Sequence, residues 1–170
     1  MRHVAGLLWA QHTTEGPFGP QRRKKGAKGA GLGYERKVAK ALPQAIFNPW
    51  FEYMDANGKG FAQPDFLLPL KGGLLAILEC KLTATPVGEE QLTQLYMPLA
   101  QFLWPKRQIL GVMVTKNLTW ASRGPAISLE EALQQSLRSS AIPTLHWLGH
   151  SPLLLGDFEF DPDFRVDSHA

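Results

Sequence analysis

The sequence has little cysteine, no long apolar run and no internal repeat, and each absence excludes a class of protein. Its 170 residues contain one cysteine, so an intrachain disulfide is excluded and a cytoplasmic location is expected. The longest apolar candidate, residues 4–10, is too short to cross a membrane and lacks a secretory layout around it. Among the histidines, only His146 and His150 approach a metal-binding spacing, and we expect no zinc site there.

The composition is that of a globular protein with an uneven distribution of charge. Apolar residues make up 44% of the chain and aromatic residues 10%, which excludes wholesale disorder. Residues 1–150 carry 17 Lys+Arg and 10 Asp+Glu, or +7, whereas residues 151–170 carry one Arg and five Asp+Glu, or −4. A basic body suits a polyanionic partner, although a merely soluble surface is the alternative.

Three regions are expected from these shifts in composition. Residues 1–32 form a basic flexible arm, residues 33–150 a single folded domain, and residues 151–170 an acidic tail expected to be a loose end. The arm is too rich in glycine for a stable helix, and no Gly-Lys-Ser/Thr completes a nucleotide-cradling motif. Its basic residues, which are candidates for contact with a nucleic-acid backbone, are Arg22, Arg23, Lys24, Lys25 and Lys28.

Within the folded domain, hydrophobic spacing predicts an alternation of helices and strands. The helices are expected at about residues 34–42, 89–104 and 129–138, the last with Ser128 as its N-cap and Glu131 three residues later. The strands are expected at about residues 45–54, 61–70, 74–82, 108–115 and 144–148.

The hairpin formed by residues 61–70 and 74–82 carries the most informative pattern. A three-residue loop, 71–73, places Asp65 directly opposite Glu79. Alternation along the second strand puts Glu79 and Lys81 on one face and Cys80 on the other, where its thiol is expected to be inert in the core. A two-residue loop would instead place Asp65 opposite Cys80. The predicted meeting of Asp65 and Glu79 therefore depends on the three-residue loop.

Two facing carboxylates repel each other unless a positive charge lies between them. Mg²⁺ or Mn²⁺ is the obvious candidate, since Mg²⁺ binds a few carboxylate or carbonyl oxygens, keeps several waters and takes its remaining ligands from a phosphate. From the same face, the Lys81 ammonium can orient or acidify a metal-bound water. The hairpin therefore predicts a site that hydrolyses phosphodiesters.

Two helices offer further candidates. Glu35 lies beside the apolar stripe of the first helix, a position compatible with two interpretations: it faces the site, or it pairs with Arg36 or neutralises the helix dipole. Arg36 and Lys37 add positive charge to the exposed side of that helix. On the helix at 89–104, Gln91 lies at the edge of the buried stripe while Gln94 points away, so Gln91 is the candidate neighbour of the site. The alternative is that either glutamine is only a solvated helix residue.

The order of elements, with Glu35 on the first helix, Pro64-Asp65 on the second strand and Glu79-Cys80-Lys81 on the third, resembles the PD-(D/E)XK nuclease superfamily. The resemblance covers about residues 33–116 and implies an α/β fold with a restriction-endonuclease-like core, α-β-β-β-α-β, in which helices flank a central mixed sheet. Pro162-Asp163 duplicates Pro64-Asp65 but no Glu-x-Lys strand follows it, so it is interpreted as a decoy.

The resemblance also implies roles for individual residues. Asp65, Glu79 and the backbone carbonyl of Cys80 would ligate Mg²⁺, Lys81 would position the attacking water, and Glu35 would contact the metal directly or through water. Gln91 resembles the helical glutamine of exonuclease-like branches. Those branches often place a tyrosine four residues later, whereas here residue 95 is leucine and the tyrosine follows at position 96.

The small size of the chain and the basic segment before its first helix resemble those of Holliday-junction resolvases. Such enzymes act as homodimers, because two symmetric nicks need two sites. The expected function is thus a metal-dependent endonuclease acting on DNA, including branched DNA, in recombination or repair, without contact with a membrane. An exonuclease or a nicking or restriction-type nuclease is the first alternative. A non-catalytic nucleic-acid-binding module on the same fold is the second, and a plain interaction domain is the third.

Overall fold

The computed structural model describes residues 2–14, 16, 27–119, 124–139 and 141–167. Within these ranges the strands are β1 (Trp9–Thr13), β2 (Ile46–Phe47), β3 (Trp50–Asp55), β4 (Gly58–Ala62), β5 (Phe66–Leu70), β6 (Leu74–Thr83), β7 (Gln108–Asn117) and β8 (Thr144–His146). The helices are α1 (Ala27–Ala41), α2 (Pro86–Gln91), α3 (Met97–Leu103) and α4 (Leu129–Arg138), and a π-helical turn, Leu92–Tyr96, joins α2 to α3.

The strands form two sheets. The larger has the order β2-β5-β6-β7-β8, in which β6, β7 and β8 run parallel and β2 and β5 pair antiparallel. The smaller is antiparallel, with the order β1-β3-β4. A mixed central sheet flanked by helices confirms the predicted α/β fold class.

Alternating side chains of the central sheet fill two separate cores. On one face, Leu78 and Cys80 pack with the buried sides of α1 and α4. On the other, Leu75 and Ile77 pack with the smaller sheet and with the helical segment from α2 to α3. This division confirms the predicted alternation along β6, including the burial of the Cys80 side chain in the core.

The predicted hairpin register is confirmed. Phe66 pairs with Leu78 and Leu70 with Leu74, which leaves Lys71, Gly72 and Gly73 as a three-residue loop. Both glycines have positive φ, +86° and +74°, a conformation that favours glycine over residues with a Cβ.

Two strands expected to be continuous are each divided between the sheets. The expected strand at 45–54 becomes β2 and β3, separated at Asn48-Pro49, and the expected strand at 61–70 becomes the end of β4 and all of β5, separated at Gln63-Pro64-Asp65. Proline cannot donate a ladder hydrogen bond, so pairing stops at both points and the chain passes from one sheet to the other. Asp65 therefore lies at a crossing between sheets.

The expectation of an irregular arm is wrong for two parts of residues 1–32. Trp9–Thr13 forms β1 against β3, and α1 begins at Ala27 rather than at Tyr34. The N-terminal segment is held by Arg2, whose guanidinium donates to the buried carboxylate of Asp55 at 2.5 Å. A strand with a distant partner leaves little local signal, which explains the error.

The expectation of a loose tail is also wrong for residues 151–167. Leu153 is buried, Phe160 forms a bridge to Leu70, and Phe164 packs on Trp104 with ring centroids 5.3 Å apart. Asp161 accepts a hydrogen bond from Arg107 at 2.6 Å. Apolar side chains among the acidic ones attach the tail at the loop end of the hairpin, away from Glu79.

Ser128 caps α4 as predicted, because its hydroxyl oxygen accepts a hydrogen bond from the Glu131 backbone N–H at 3.1 Å. Over the residues that the structure describes, every helix is too short or too polar to span a bilayer.

Candidate active site

The carboxylates of Asp65 and Glu79 meet where the hairpin register predicts. Asp65 follows Pro64 at the crossing between sheets, and its side-chain oxygen Oδ2 accepts a hydrogen bond from the Cys80 backbone N–H at 2.7 Å. Both residues are buried, with 8% of Asp65 and 3% of Glu79 exposed. The side chains of Asp65 and Glu79 are also close enough to hydrogen-bond to each other.

Glu35 on α1 is the third carboxyl group of this cluster. Its side chain hydrogen-bonds to that of Asp65, although α1 packs against the other face of the sheet. Burial raises the pKa of Glu35 to about 7, and the negative charge of Asp65 adds to the increase. The alternative in which Glu35 serves only the helix dipole or Arg36 does not account for this contact with Asp65.

Burial also raises the pKa of Asp65 and raises that of Glu79 well above its usual range, where the charge of Asp65 contributes as well. Asp65 is the shared acceptor, since hydrogen bonds from Glu79, Glu35 and the Cys80 N–H all favour its charged form. In their protonated forms, the carboxyls of Glu79 and Glu35 would donate to the Asp65 carboxylate. A cation that replaced these protons would bind the same oxygens.

Lys81 supplies the positive charge of the site. Its Nζ lies 3.6 Å from Oε1 of Glu79, and 30% of its side chain is exposed. Helix α2 packs against the Lys81 side chain, because a Cβ added to Gly88 would lie 3.3 Å from Cγ of Lys81. The ammonium is thus held beside the carboxylates and remains accessible to a substrate.

The oxygens in this cluster suit a hard divalent cation. Among the described residues, two buried side-chain atoms have no hydrogen-bond partner, Oε2 of Glu79 and Oε1 of Gln91. A buried acceptor without a partner is costly, and a bound cation or its water would satisfy it. Glu79 therefore offers one free ligand oxygen beside Asp65.

In the part of the chain that the structure describes, no group of three or more His, Cys, Asp or Glu side chains is arranged so that it could hold a metal ion. A cation at Asp65 and Glu79 would need its other oxygens from the Cys80 carbonyl, water or substrate. Mg²⁺ is commonly bound in this way, by one or two carboxylates with several waters. The side chains present fit Mg²⁺ with two carboxylate ligands better than a site with three.

Tyr96, the tyrosine one position beyond the one expected in exonuclease-like branches, lies near the same cluster. Burial raises the pKa of its hydroxyl, and the charges of Glu79, Asp65 and Glu35 raise it further, so the phenol is within electrostatic reach of all three carboxyls. Tyr96 also lines a small apolar cavity together with Pro64.

The π-helical turn explains how Gln91 and Tyr96 are related. The Met97 N–H donates to the Leu92 carbonyl, five residues earlier, instead of to residue 93. In a regular α-helix, positions 91 and 96 would point about 140° apart, whereas one extra residue in the turn brings them back towards a common side. The π turn thus compensates for the spacing of five that the sequence places between glutamine and tyrosine.

Deleting Gln94 should therefore convert the π turn into a regular α-helix while both flanking segments keep their orientation. We expect the melting temperature of this variant to stay within about 5 °C of the original, since less than about 2 kcal/mol is at stake. Thermal unfolding followed by circular dichroism measures it.

The matched control is deletion of Lys37, which is exposed on the uninterrupted helix α1. Removing it rotates Tyr34 by about 100° relative to Val38, so one of these buried side chains leaves the core. This deletion should lower the melting temperature by well over 10 °C. Equal loss of stability in the two deletion variants would contradict the proposed role of the π turn.

The structure describes only some of the basic residues that were predicted to contact nucleic acid. Arg36 and Lys37 are exposed on α1, and Lys37 approaches Gly149. Of the predicted basic arm, Arg22, Arg23, Lys24 and Lys25 and the side chain of Lys28 lie outside the described residues. The prediction that these residues contact nucleic acid is therefore untested.

Comparison with known proteins found no match: no family model matches the chain, and no curated protein and no solved structure is significantly similar to it. The assignment of chemistry to this site therefore depends on its residues and their geometry.

Proposed function

We propose that this chain is a Mg²⁺-dependent DNA endonuclease that hydrolyses phosphodiester bonds at Asp65, Glu79 and Lys81, in the manner of the PD-(D/E)XK nucleases that its motifs resemble. The observation that carries the proposal is the convergence of two buried carboxylates on an accessible ammonium. One of these carboxylates, Glu79, has an oxygen that no described residue satisfies. A structural ion pair would not need a second buried acid beside it.

Each group has a chemical task in this proposal. Bound Mg²⁺ would supply activation of a water molecule and stabilise the negative charge that develops on the phosphate. Asp65 and Glu79 hold the cation, and the Cys80 N–H fixes the Asp65 carboxylate in position. Lys81 orients the attacking water from the exposed side, and Glu35 holds a proton or a water at the Asp65 carboxylate.

Branched DNA is the substrate that we favour for this endonuclease. The basic residues of α1 and the basic segment before it can contact phosphates, and a homodimer would provide the two sites that symmetric nicking of a junction requires. Affinity for DNA should then fall steeply as salt is added. An affinity that is insensitive to salt would favour a plain interaction domain.

The direct test compares cleavage of a four-way junction, linear duplex and single-stranded DNA by the purified protein in Mg²⁺. Lys81→Met keeps the apolar stem of the side chain and removes its charge, so we expect the rate to fall about 10²- to 10⁴-fold with little change in DNA binding. Gel-based rates under single-turnover conditions measure the fall.

Lys71→Met is the matched control for this variant. Lys71 is exposed at the loop of the same hairpin and pairs with Glu159 of the tail, so its replacement should leave the rate unchanged. If Lys81→Met cleaved as fast as Lys71→Met, the catalytic role of Lys81 would be wrong. Tight binding of junctions without cleavage by the unmodified protein would favour the binding-module alternative.

A second candidate, an exonuclease, is favoured by one observation: Tyr96 lies within electrostatic reach of the carboxylates, and the π turn brings Gln91 towards the same side of the helix, in keeping with the glutamine and tyrosine of exonuclease-like branches. Closed circular single-stranded DNA distinguishes the two, because an endonuclease opens it and an exonuclease requires an end.

A further inference from the structure

The helical segment beside the carboxylate site has a gap in its own hydrogen bonds. In a regular α-helix, the carbonyl of residue 94 accepts from the N–H of residue 98. Residue 98 is proline, which has no N–H, and it lies in the first turn of α3 directly after the π turn. The carbonyl of Gln94 therefore lacks its regular helical donor and is left for a donor from another part of the chain.

The N-terminal segment supplies that donor. The Val4 backbone N–H donates to the Gln94 carbonyl at 2.9 Å, and the Val4 side chain packs against the same core as Tyr96. One residue earlier, Nε2 of His3 lies 2.7 Å from Oε1 of Glu90, which is one helical turn before Gln94. The N-terminal segment thus contacts this helical segment on two successive turns.

Residues 2–5, which we call the N-terminal strap, are held from the other side by the smaller sheet. Arg2 pairs with Asp55, and the Ala5 N–H donates to Oδ2 of the same carboxylate at 3.2 Å. The Ala5 carbonyl in turn accepts from the Ala56 N–H at 2.8 Å. Because Asp55 is buried at the end of β3, the strap connects a fixed point of the smaller sheet to the π turn.

The stretch that the strap contacts adjoins the site at both ends. Gly88, two residues before Glu90, lies against the Lys81 side chain. Tyr96, two residues after Gln94, is within electrostatic reach of the three carboxyls. A shift of this stretch would therefore disturb the surroundings of the ammonium and of the carboxylates together. Misplacing groups at a catalytic site by about 1 Å can lower a rate by a factor of about 10².

We propose that the N-terminal strap positions the catalytic site: the Val4 N–H completes the hydrogen bonding around the π turn and so fixes this helical segment beside Lys81 and the carboxylates. The inference rests on the nuclease function proposed above. Val4 is a positioning residue, because it acts through the helix. The gap that it fills is created by a single proline, so the same gap can be filled from within the helix, which makes the proposal testable.

Val4→Pro removes the donor and keeps an apolar side chain at this position. Backbone amides of residues 92–97 should exchange with solvent about 5- to 100-fold faster, because the carbonyl loses its partner and the turn opens more often. Hydrogen exchange followed by mass spectrometry measures this. The single-turnover rate of cleavage in Mg²⁺ at saturating DNA should fall about 10- to 100-fold, at a temperature where circular dichroism shows the variant to be folded. Affinity for DNA in Ca²⁺ should change less than about twofold.

Pro98→Ala is the second substitution, because it restores an N–H four residues after Gln94. In the Val4→Pro background it should return both the exchange and the cleavage rate to within about threefold of the original protein. If Val4→Pro alone is unfolded, the double variant decides, because it should fold and cleave near the original rate only if the strap serves the Gln94 carbonyl. A double variant that is unfolded, or as slow as Val4→Pro, would overturn the proposal.

Leu8→Pro is the matched control. The Leu8 N–H donates to the Met54 carbonyl at 2.9 Å, so this variant loses a hydrogen bond from the same N-terminal segment to the smaller sheet instead of to the helix. Exchange at residues 92–97 and the cleavage rate should stay within about twofold of the original protein. An equal loss of rate in Leu8→Pro and Val4→Pro would also contradict the proposal, because the effect would then not depend on the bond to the π turn.

The outcomes separate the two proposals. If the original protein cleaves DNA and a folded Val4→Pro variant cleaves at the same rate, the nuclease proposal stands and the strap only stabilises the fold. If the original protein cleaves no DNA in Mg²⁺ or Mn²⁺, the nuclease proposal is wrong. Faster exchange in Val4→Pro that Pro98→Ala restores would then still support the restraint of the π turn by Val4, and unchanged exchange would overturn it.

Discussion

Asp65→Asn is expected to reduce Mg²⁺-dependent DNA cleavage by about 10³-fold or more, because a catalytic metal contributes several kcal/mol of transition-state stabilisation and each 1.36 kcal/mol is a factor of ten. The substitution removes the charge that a cation needs but keeps a side-chain oxygen that can accept from the Cys80 N–H. The fold should therefore survive, and single-turnover cleavage rates measure the loss. Asp65→Ala would also remove that hydrogen bond and would mix a loss of stability with the loss of activity.

The chain contains its own control for this experiment. Asp163 also follows a proline, but its side chain is exposed and it lies in a turn of the tail. Asp163→Asn should cleave at the original rate. Retention of full activity by Asp65→Asn in buffer free of other metals would show that the carboxylate cluster does not catalyse cleavage.

The parts of this site that sequence could predict are those set by local rules. A glycine-rich loop of three residues fixes the hairpin register, and alternation along β6 fixes the faces of Glu79, Cys80 and Lys81. Both depend on neighbours within one hairpin. The meeting of Asp65 and Glu79 follows from them.

The parts that sequence missed depend on distant segments. β1 and the acidic tail are held by partners far along the chain, and no local pattern identifies those partners. Phe47 was placed inside a continuous strand, although Asn48-Pro49 carries the signal of a break. Recognising that break would have divided the expected strand between the two sheets, as β2 and β3 are divided.

The π turn illustrates a signal that was visible but unexplained. The spacing from Gln91 to Tyr96 is one residue too long for an α-helix and departs from the pattern of exonuclease-like branches. A helix can absorb one extra residue in a π turn, and such turns are frequent at functional sites. The unusual spacing is thus better interpreted as evidence for a local π turn than as evidence against the site.

Glu79→Gln is expected to raise the melting temperature of the protein at pH 8 when no divalent cation is present. Glu79 is the most buried of the three carboxyls, and its Oε2 has no hydrogen-bond partner among the described residues. A glutamine amide can donate to the Asp65 carboxylate without carrying charge into this buried cluster. Relief of about 1–3 kcal/mol corresponds to a rise of roughly 2–10 °C, which calorimetry or fluorescence would detect.

The sign of the pH dependence follows from the raised pKa values. A carboxyl whose pKa is higher in the folded state than in the unfolded state stabilises the fold fully below the unfolded value, about 4.5 for glutamate, and loses that contribution as pH rises through the folded value, which is about 7 for Glu35. Stability of the cation-free protein should thus fall between pH 5 and pH 8. Because glutamine does not titrate, Glu79→Gln should lose less stability over this rise in pH than the original protein.

A divalent cation should reverse this order. At pH 8, Mg²⁺ or Mn²⁺ should raise the melting temperature of the original protein, because the cation replaces the protons that Asp65 shares with Glu79. It should raise that of Glu79→Gln much less, since one ligand charge is gone. The control is Glu89→Gln on α2, where the side chain is exposed. The melting temperature of this variant should follow that of the original protein at each pH, with and without the cation. If Glu79→Gln were less stable than the original protein at pH 8 without cation, the buried carboxylate would be satisfied by the protein itself, and the argument for a cation between Asp65 and Glu79 would lose its basis.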